Sequence, residues 1–229
     1  MRRIAIIPAR GGSKRIPRKN VKIFIDKPII AYSIEVALKS GLFEEVMVST
    51  DDPEIAAVAE RYGAKVPFLR SENNSGDFAT LADVISEVLS KYEVLGTHFD
   101  VFCCILATSP FLLFERIQEA YGRMVERDFD SVFPVLRFSY PIQRSLEIQN
   151  EKIGLVYPEY RNSRSQDLEP RYHDSGQFYW MWSDRFRQQQ TLFAKNSGAI
   201  VLKEWEVQDI DTEEDWKMAE IKYRLLQNG

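Results

Sequence analysis

The chain has 229 residues, of which 45% are hydrophobic and 28% charged, and it carries a net charge of −4. That profile excludes disordered and fibrous classes, leaves room for one large α/β domain, and argues against a general nucleic-acid binder. No apolar run approaches the roughly 20 residues that cross a membrane, and the apolar part of the start is shorter than the about 7–15 residues of a signal-peptide core, so a soluble, cytoplasmic protein is expected.

The elements alternate. Residues 4–9 read as a first strand. Residues 28–40 read as a helix, with Ile29, Ile30, Ile34 and Ala37 on one stripe, Pro28 suited to its start and Gly41 to its stop. A strand over 45–50 ends at Asp51-Asp52-Pro53, a helix follows over 53–62, and Val66 to Leu69 are expected as a third strand. A helix over 79–92 leads to an almost wholly apolar strand over 101–107. That strand holds the two cysteines, Cys103 and Cys104. Neighbours on a strand point to opposite faces, so these read as two core thiols and not as a disulfide. A helix over 114–127 and a strand over 131–136 complete the rhythm, and a last helix is expected over 212–226. Strands and helices of these lengths imply βαβ units, an α/β fold with a mainly parallel, Rossmann-like sheet flanked by helices. Ligands in such sheets sit beyond the carboxyl ends of strands, so loops 8–20, 50–53 and 107–111 should border one cleft. Within the single domain, 1–229, the rhythm breaks at residues 139–177. That stretch is rich in Tyr, Pro, Arg, Asn and Gln and reads as a small inserted arm.

Charge is distributed unevenly. Residues 1–27 hold nine Lys or Arg and one acid, Asp26, while the remainder is net acidic. The loop after the first strand contains Arg10, Gly11, Gly12, Ser13, Lys14, Arg15, Arg18, Lys19 and Asn20. Its two glycines allow close backbone approach, and its five cations match the about four negative charges of a triphosphate. The loop has neither Walker A nor dinucleotide-fingerprint spacing. Near the other end stands Gln208-Asp209-Ile210-Asp211-Thr212. In an extended segment Asp209 and Asp211 share a face, where the pair could hold Mg²⁺ together with substrate phosphates. The alternative is that Asp211 or Thr212 caps the last helix and the acids that follow only complement its first turn.

The run Ile7-Pro8-Ala9-Arg10-Gly11-Gly12-Ser13-Lys14-Arg15-Ile16-Pro17-Arg18-Lys19-Asn20, with Val48-Ser49-Thr50-Asp51-Asp52, Thr108-Ser109-Pro110 and Asp209-Ile210-Asp211, resembles the acylneuraminate cytidylyltransferase family across essentially the whole chain. Members activate nine-carbon sugar acids as CMP conjugates. The resemblance implies CTP as donor, Mg²⁺ as cofactor, a sugar acid as acceptor and a homodimer in which residues 139–177 take part. It also implies residue roles. Arg10, Gly11, Gly12, Ser13, Lys14, Lys19, Asn20, Arg70, Thr108 and Ser109 would bind the nucleotide. Arg10, Lys19 and Asp211 would serve catalysis, and Asp209 and Asp211 would hold the metal.

The departures point to a branch. The family's sialic-acid enzymes often carry glutamine where this chain has Leu106, and arginine where it has His173. The stretch from Asn162 to Leu168 and Tyr172-His173-Asp174 resemble the pseudaminic acid branch, with Arg164, Gln166, His173 and Asp174 as the expected sugar contacts. A structural role for His173 stands beside that reading. The resemblance thus implies a precursor enzyme for bacterial surface-glycan or flagellar glycosylation, with sialic or legionaminic acid as alternative acceptors. Two other classes are weaker matches. A glycosyltransferase would carry acids after the central strand, where residues 106–110 have none, and a non-catalytic nucleotide-sugar binder would show gaps among the charged residues.

Overall fold

The computed structural model describes residues 1–227. Its first half holds β1 (Arg3–Pro8), β2 (Ile23–Phe24), β3 (Lys27–Pro28), α1 (Ile29–Lys39), β4 (Glu45–Ser49), α2 (Pro53–Arg61), α3 (Leu81–Val94) and β5 (Val101–Ile105). The second half holds α4 (Phe114–Glu126), β6 (Ser131–Arg137), β7 (Leu146–Gln149), β8 (Lys152–Leu155), β9 (Tyr172–Asp174), β10 (Phe178–Trp182), α5 (Ser183–Gln189), β11 (Ser197–Leu202) and α6 (Glu213–Gln227).

One seven-stranded sheet runs in the order β11-β6-β10-β5-β1-β4, with β9 beside β6. β1 lies parallel between β4 and β5. β10 is antiparallel to both its neighbours, and β9 is antiparallel to β6. Five strands therefore share one direction and two reverse it, so the sheet is mixed with a parallel majority. The sheet is buried on both faces. Ala5, Ile7, Cys103 and Ile105 pack toward α1, α2 and α4, while Ile4, Ile6, Phe102 and Cys104 pack toward α3 and α5. Burying each of these isoleucines, or Phe102, contributes about 1.5–3 kcal/mol. The two thiols are free and face opposite sides, as alternation on β5 demands.

The segment from Val66 to Leu69 is not a strand. Lys65 forms a single parallel bridge with Met47, and the chain next bonds the β4 side at Arg70, whose N–H donates to the Thr50 carbonyl at 2.8 Å. Pro67 lies between these points and has no N–H for a ladder. α5 and β11 are elements that the sequence reading passed over.

Residues 139–177 leave the sheet from β6 and return to it as β9. Between lie the β7–β8 hairpin and short helical turns. Asn150 and Glu151 turn the hairpin with φ of 50° and 64°, the left-handed pair that a two-residue turn requires. Its register puts Ile148 opposite Ile153 and Leu146 opposite Leu155, on one face. No helix among the described residues is long and apolar enough to cross a membrane.

Candidate active site

The carboxyl ends of β4, β1 and β5 lie side by side, so the loops that follow them meet. The β1 loop is pinned from beneath by the β4 loop. The Gly11 N–H donates to Asp51 Oδ1 at 2.9 Å, and a Cβ on Gly11 would come within 2.8 Å of Asp52 Oδ2. A side chain at position 11 would therefore have to displace the Asp52 carboxylate from its bonds, whereas Gly12 faces open space. Asp52 caps α2 through the N–H groups of Glu54 and Ile55 and also grips Arg18, which Glu54 holds as well. Its hydrogen bond from Arg18, reinforced by the capping amides, holds the Asp52 carboxyl below the usual carboxylate range against the opposing effect of burial. Asn20 is buried and donates its amide to the Arg10 carbonyl at 2.9 Å, closing the loop on itself.

Above this base lies a cleft of about 380 Å³, lined among others by Arg10, Ser13, Lys14, Lys19, Thr108 and Asp211. The loop from residue 8 to 20, the end of β5 and the acidic segment thus meet in one place. Loop 50–53 supports the cleft from below without lining it. Lys19 bridges the two ends of the chain: its ammonium donates to the Ile210 carbonyl at 2.7 Å and lies 3.7 Å from Asp211 Oδ1. Burial lowers the Lys19 pKa, and the neighbouring Asp211 and Asp209 carboxylates pull the other way. Arg15 also pairs with Asp211, at 2.8 Å.

Ile210 is buried, and the residues on either side of it point outward. Asp211 faces the first cleft. Asp209 lines a second one, of about 450 Å³, with His173, Asp174, Gly176, Gln208 and Lys222. Asp215 caps α6 by accepting from the N–H groups of Asp211 and Thr212, at 3.1 and 2.8 Å. The capping role therefore falls to Asp215 with Thr212, which leaves the Asp209 and Asp211 carboxylates outside it.

Other expected residues are spread more widely. Ser109 is buried and lines neither cleft. Arg70 is buried beneath the β4 end, where it donates to the Ser49 carbonyl and, at 3.1 Å, to Ser49 Oγ. His173 and Asp174 sit on β9. His173 Nδ1 is 2.9 Å from the Asp174 carbonyl, and Asp174 accepts from Tyr179 and from the Gly176 N–H. Arg164 and Gln166 do not join them. Arg164 is exposed and pairs with Asp167 at 2.7 Å, while Gln166 lines a separate depression with Arg137 and Phe138. Two residues were overlooked. Asp77 pairs with Arg10 and Lys14, and Lys222 donates to the Glu204 and Val207 carbonyls just before the acidic segment. Nothing local marks either one, because both act across long stretches of chain.

The profile described as cytidylyltransferase matches residues 4–178. The chain belongs to the cytidylyltransferase family. It is accordingly a nucleotidyltransferase. Pseudaminic acid cytidylyltransferase of Campylobacter jejuni serotype O:2 is 41% identical over 226 residues, covering 98% of this chain and 97% of that protein. CMP-N,N'-diacetyllegionaminic acid synthase of Legionella pneumophila is 36% identical over 239 residues, covering 100% of this chain and 99% of its own length. Among solved structures, CMP:2-keto-3-deoxy-manno-octonic acid synthetase complexed with CTP superposes with a TM-score of 0.70 and 16% identity, covering 100% of both chains. At that identity the match establishes a shared α/β fold.

Proposed function

We propose that this cytidylyltransferase transfers CMP from CTP to the anomeric hydroxyl of a nine-carbon sugar acid, pseudaminic acid, and releases pyrophosphate. The observation that carries the reaction is the first cleft, where Arg10, Lys14 and Lys19 face Asp211 at the carboxyl end of the sheet. Identity of 41% with a pseudaminic acid cytidylyltransferase over nearly the full length supports the choice of sugar. Leu106 and His173, which replace two polar residues frequent in sialic-acid enzymes, support it further.

Arg10 and Lys14 neutralise the triphosphate and hold it across the cleft mouth. Lys19, fixed by the Ile210 carbonyl, sits where charge develops as the bond from Pα to the bridging oxygen breaks. The sugar occupies the second cleft, so that its anomeric oxygen approaches Pα past the Asp209–Asp211 segment. In-line transfer of this kind depends mainly on positioning and electrostatics. Asp209 and Asp211 fit Mg²⁺, because two outward carboxylates plus phosphate oxygens satisfy an ion that one or two carboxylates usually hold. In this reading the phosphate oxygens of CTP would complete the set of ligands that the two carboxylates begin. When bound, Mg²⁺ neutralises and orients the phosphate oxygens.

The chain works as a homodimer in this reading. The apolar face of the β7–β8 hairpin is uncovered, with Ile148 76% and Ile153 67% exposed, and a second copy covers it. Consumption of CTP fits a cytoplasmic enzyme. The test is pyrophosphate release from CTP and Mg²⁺ with each candidate sugar. CMP-pseudaminic acid is expected to form with a kcat/KM at least about tenfold above that for sialic acid, since a site discriminates strongly when the wrong ligand leaves polar groups unpaired. Equal efficiency, or a preference for sialic acid, rejects the choice of sugar and leaves the reaction standing.

A further inference from the structure

Asp77 lies in the loop between Arg70 and α3. One of its carboxylate oxygens accepts from Arg10 Nη1 at 3.0 Å and the other pairs with Lys14 Nζ. The Gly76 carbonyl accepts from the same Arg10 nitrogen at 3.2 Å. A carboxylate shared by both cations and a carbonyl on Arg10 therefore take up hydrogen-bonding positions on the two side chains. The loop is otherwise tied at its two ends. Ser71 and Asn74 bond Glu87 on one side, and Thr80 forms a capping box with Asp83 on the other. Between them Phe78 is 98% exposed. In the middle of the loop, the side-chain bonds that reach the β1 loop are those of Asp77 and of the Gly76 carbonyl with Arg10 and Lys14.

We infer that Asp77 is an internal phosphate mimic: in the nucleotide-free enzyme it holds Arg10 and Lys14 together, and the triphosphate of CTP displaces it. Two like charges at the mouth of one cleft repel unless an anion lies between them. Asp77 supplies that anion before nucleotide arrives. The hydrogen bond from Lys14 outweighs the opposing desolvation and, with the Lys14 charge and the bond from Arg10, holds its carboxyl below the ordinary range, so it is anionic at neutral pH. A triphosphate carries more charge than a carboxylate and wins the exchange, but its affinity is lowered by what Asp77 gives up. After transfer Asp77 competes for the same cations against pyrophosphate and favours its release. No bond is made or broken by Asp77, and its role is to set how tightly phosphates are held.

The inference rests on the first cleft being the CTP site, and the experiment separates the two. Equilibrium binding of CTP and of pyrophosphate is measured by calorimetry in low salt, with Mg²⁺, for the full wild-type chain, Asp77→Asn and Asp77→Glu. Thermal melting checks that each is folded. Asp77→Asn is expected to bind both ligands roughly threefold or more tighter, with Asp77→Glu within about twofold of wild type, the scale set by exposed ion pairs. Pyrophosphate should also become a stronger product inhibitor of Asp77→Asn. Unchanged binding by a folded Asp77→Asn overturns the inference, and weaker binding overturns it too by making Asp77 a support for the cations. A wild-type chain that binds no CTP removes the site reading and this inference with it.

Discussion

The loop after β1 and the arm at residues 139–177 are both polar and rich in arginine, yet they are tied down in opposite ways. In the loop the bonds run to distant parts of the chain: Gly11 to Asp51, Arg18 to Asp52, Lys19 to the Ile210 carbonyl. In the arm they run mostly within the arm itself, as in the Arg164–Asp167 pair and the Gln143 amide to the Glu169 carbonyl. Ser139 and Gln177 at its two ends reach Glu204 and Glu206, and the hairpin leaves an apolar face open. Long-range ties pre-organise charge, which is what phosphate chemistry needs. Local ties leave a surface unfinished within one chain, which is what an assembly interface looks like. In the proposed reading the donor end of the site is formed within one copy, while the arm beside the acceptor end carries the face that a second copy would cover.

The comparison breaks first at the donor end. Asp211→Asn removes the carboxylate shared by Arg15, Lys19 and the proposed metal, and should cost most of the turnover while the fold persists. Pyrophosphate release at saturating CTP, read beside thermal melting, checks it; normal turnover removes Asp211 from the site. Lys19→Ala should lower kcat by about 10² or more, as loss of one transition-state donor usually does. A rise in KM at constant kcat would instead make Lys19 a ground-state contact. At the arm, Ile148→Asp combined with Ile153→Asp places like charges on the open face. Sedimentation should show the wild type as a dimer at micromolar concentration and the double variant as a monomer. CTP binding should be unchanged in the variant and the KM for the sugar raised. A monomeric wild type would mean the apolar face serves something other than self-association.

Much of the donor end was legible in the sequence, because a cluster of nine cations near the start and an alternating Asp-Ile-Asp near the end are one-dimensional signals. Burial of Ile210 with outward neighbours is the pattern that alternation on an extended segment predicts. The acceptor end was less legible. Arg164 and Gln166 lie close to His173 in sequence, but a helical turn and an ion pair to Asp167 carry them away from β9. The reversal of β10 left no trace in composition, since a strand buried on both faces reads alike in either direction. Val66 to Leu69 looked like a strand by hydrophobicity, and the missing N–H of Pro67 was the signal against it. Asp77 acts on residues more than sixty positions away and could be found only in three dimensions.

The smallest expected effect sharpens the comparison by testing whether long-range ties also hold the wall beside the donor end. Glu87 on α3 accepts from the Ser71 N–H and Oγ, each at 2.8 Å, from Asn74 Nδ2, and pairs with Lys91 at 2.6 Å. It thereby anchors the loop that carries Arg70 and Asp77. Burial opposes its charge, but the bonds from Lys91, Ser71 and Asn74 outweigh that cost and bring its pKa down to about 2. Because the folded pKa lies below the ordinary glutamate value of 4.5, the unfolded chain takes up the proton more readily. The stabilisation is therefore fully present above about pH 4.5 and is lost as pH falls through about 2. Glu87→Gln should cost ~1–2 kcal/mol at neutral pH, the scale for hydrogen bonds to a charged acceptor. Urea unfolding of both proteins across the acid range measures the gap between them. The gap should narrow as pH drops from 4.5 toward 2, because over that window the carboxyl of the unfolded wild-type chain takes up a proton while the folded one stays charged, a preference that glutamine does not have. A gap that stays constant over that window would mean that the neutral amide satisfies Ser71 and Asn74 as well as the carboxylate does, and that shape, not charge, anchors the loop.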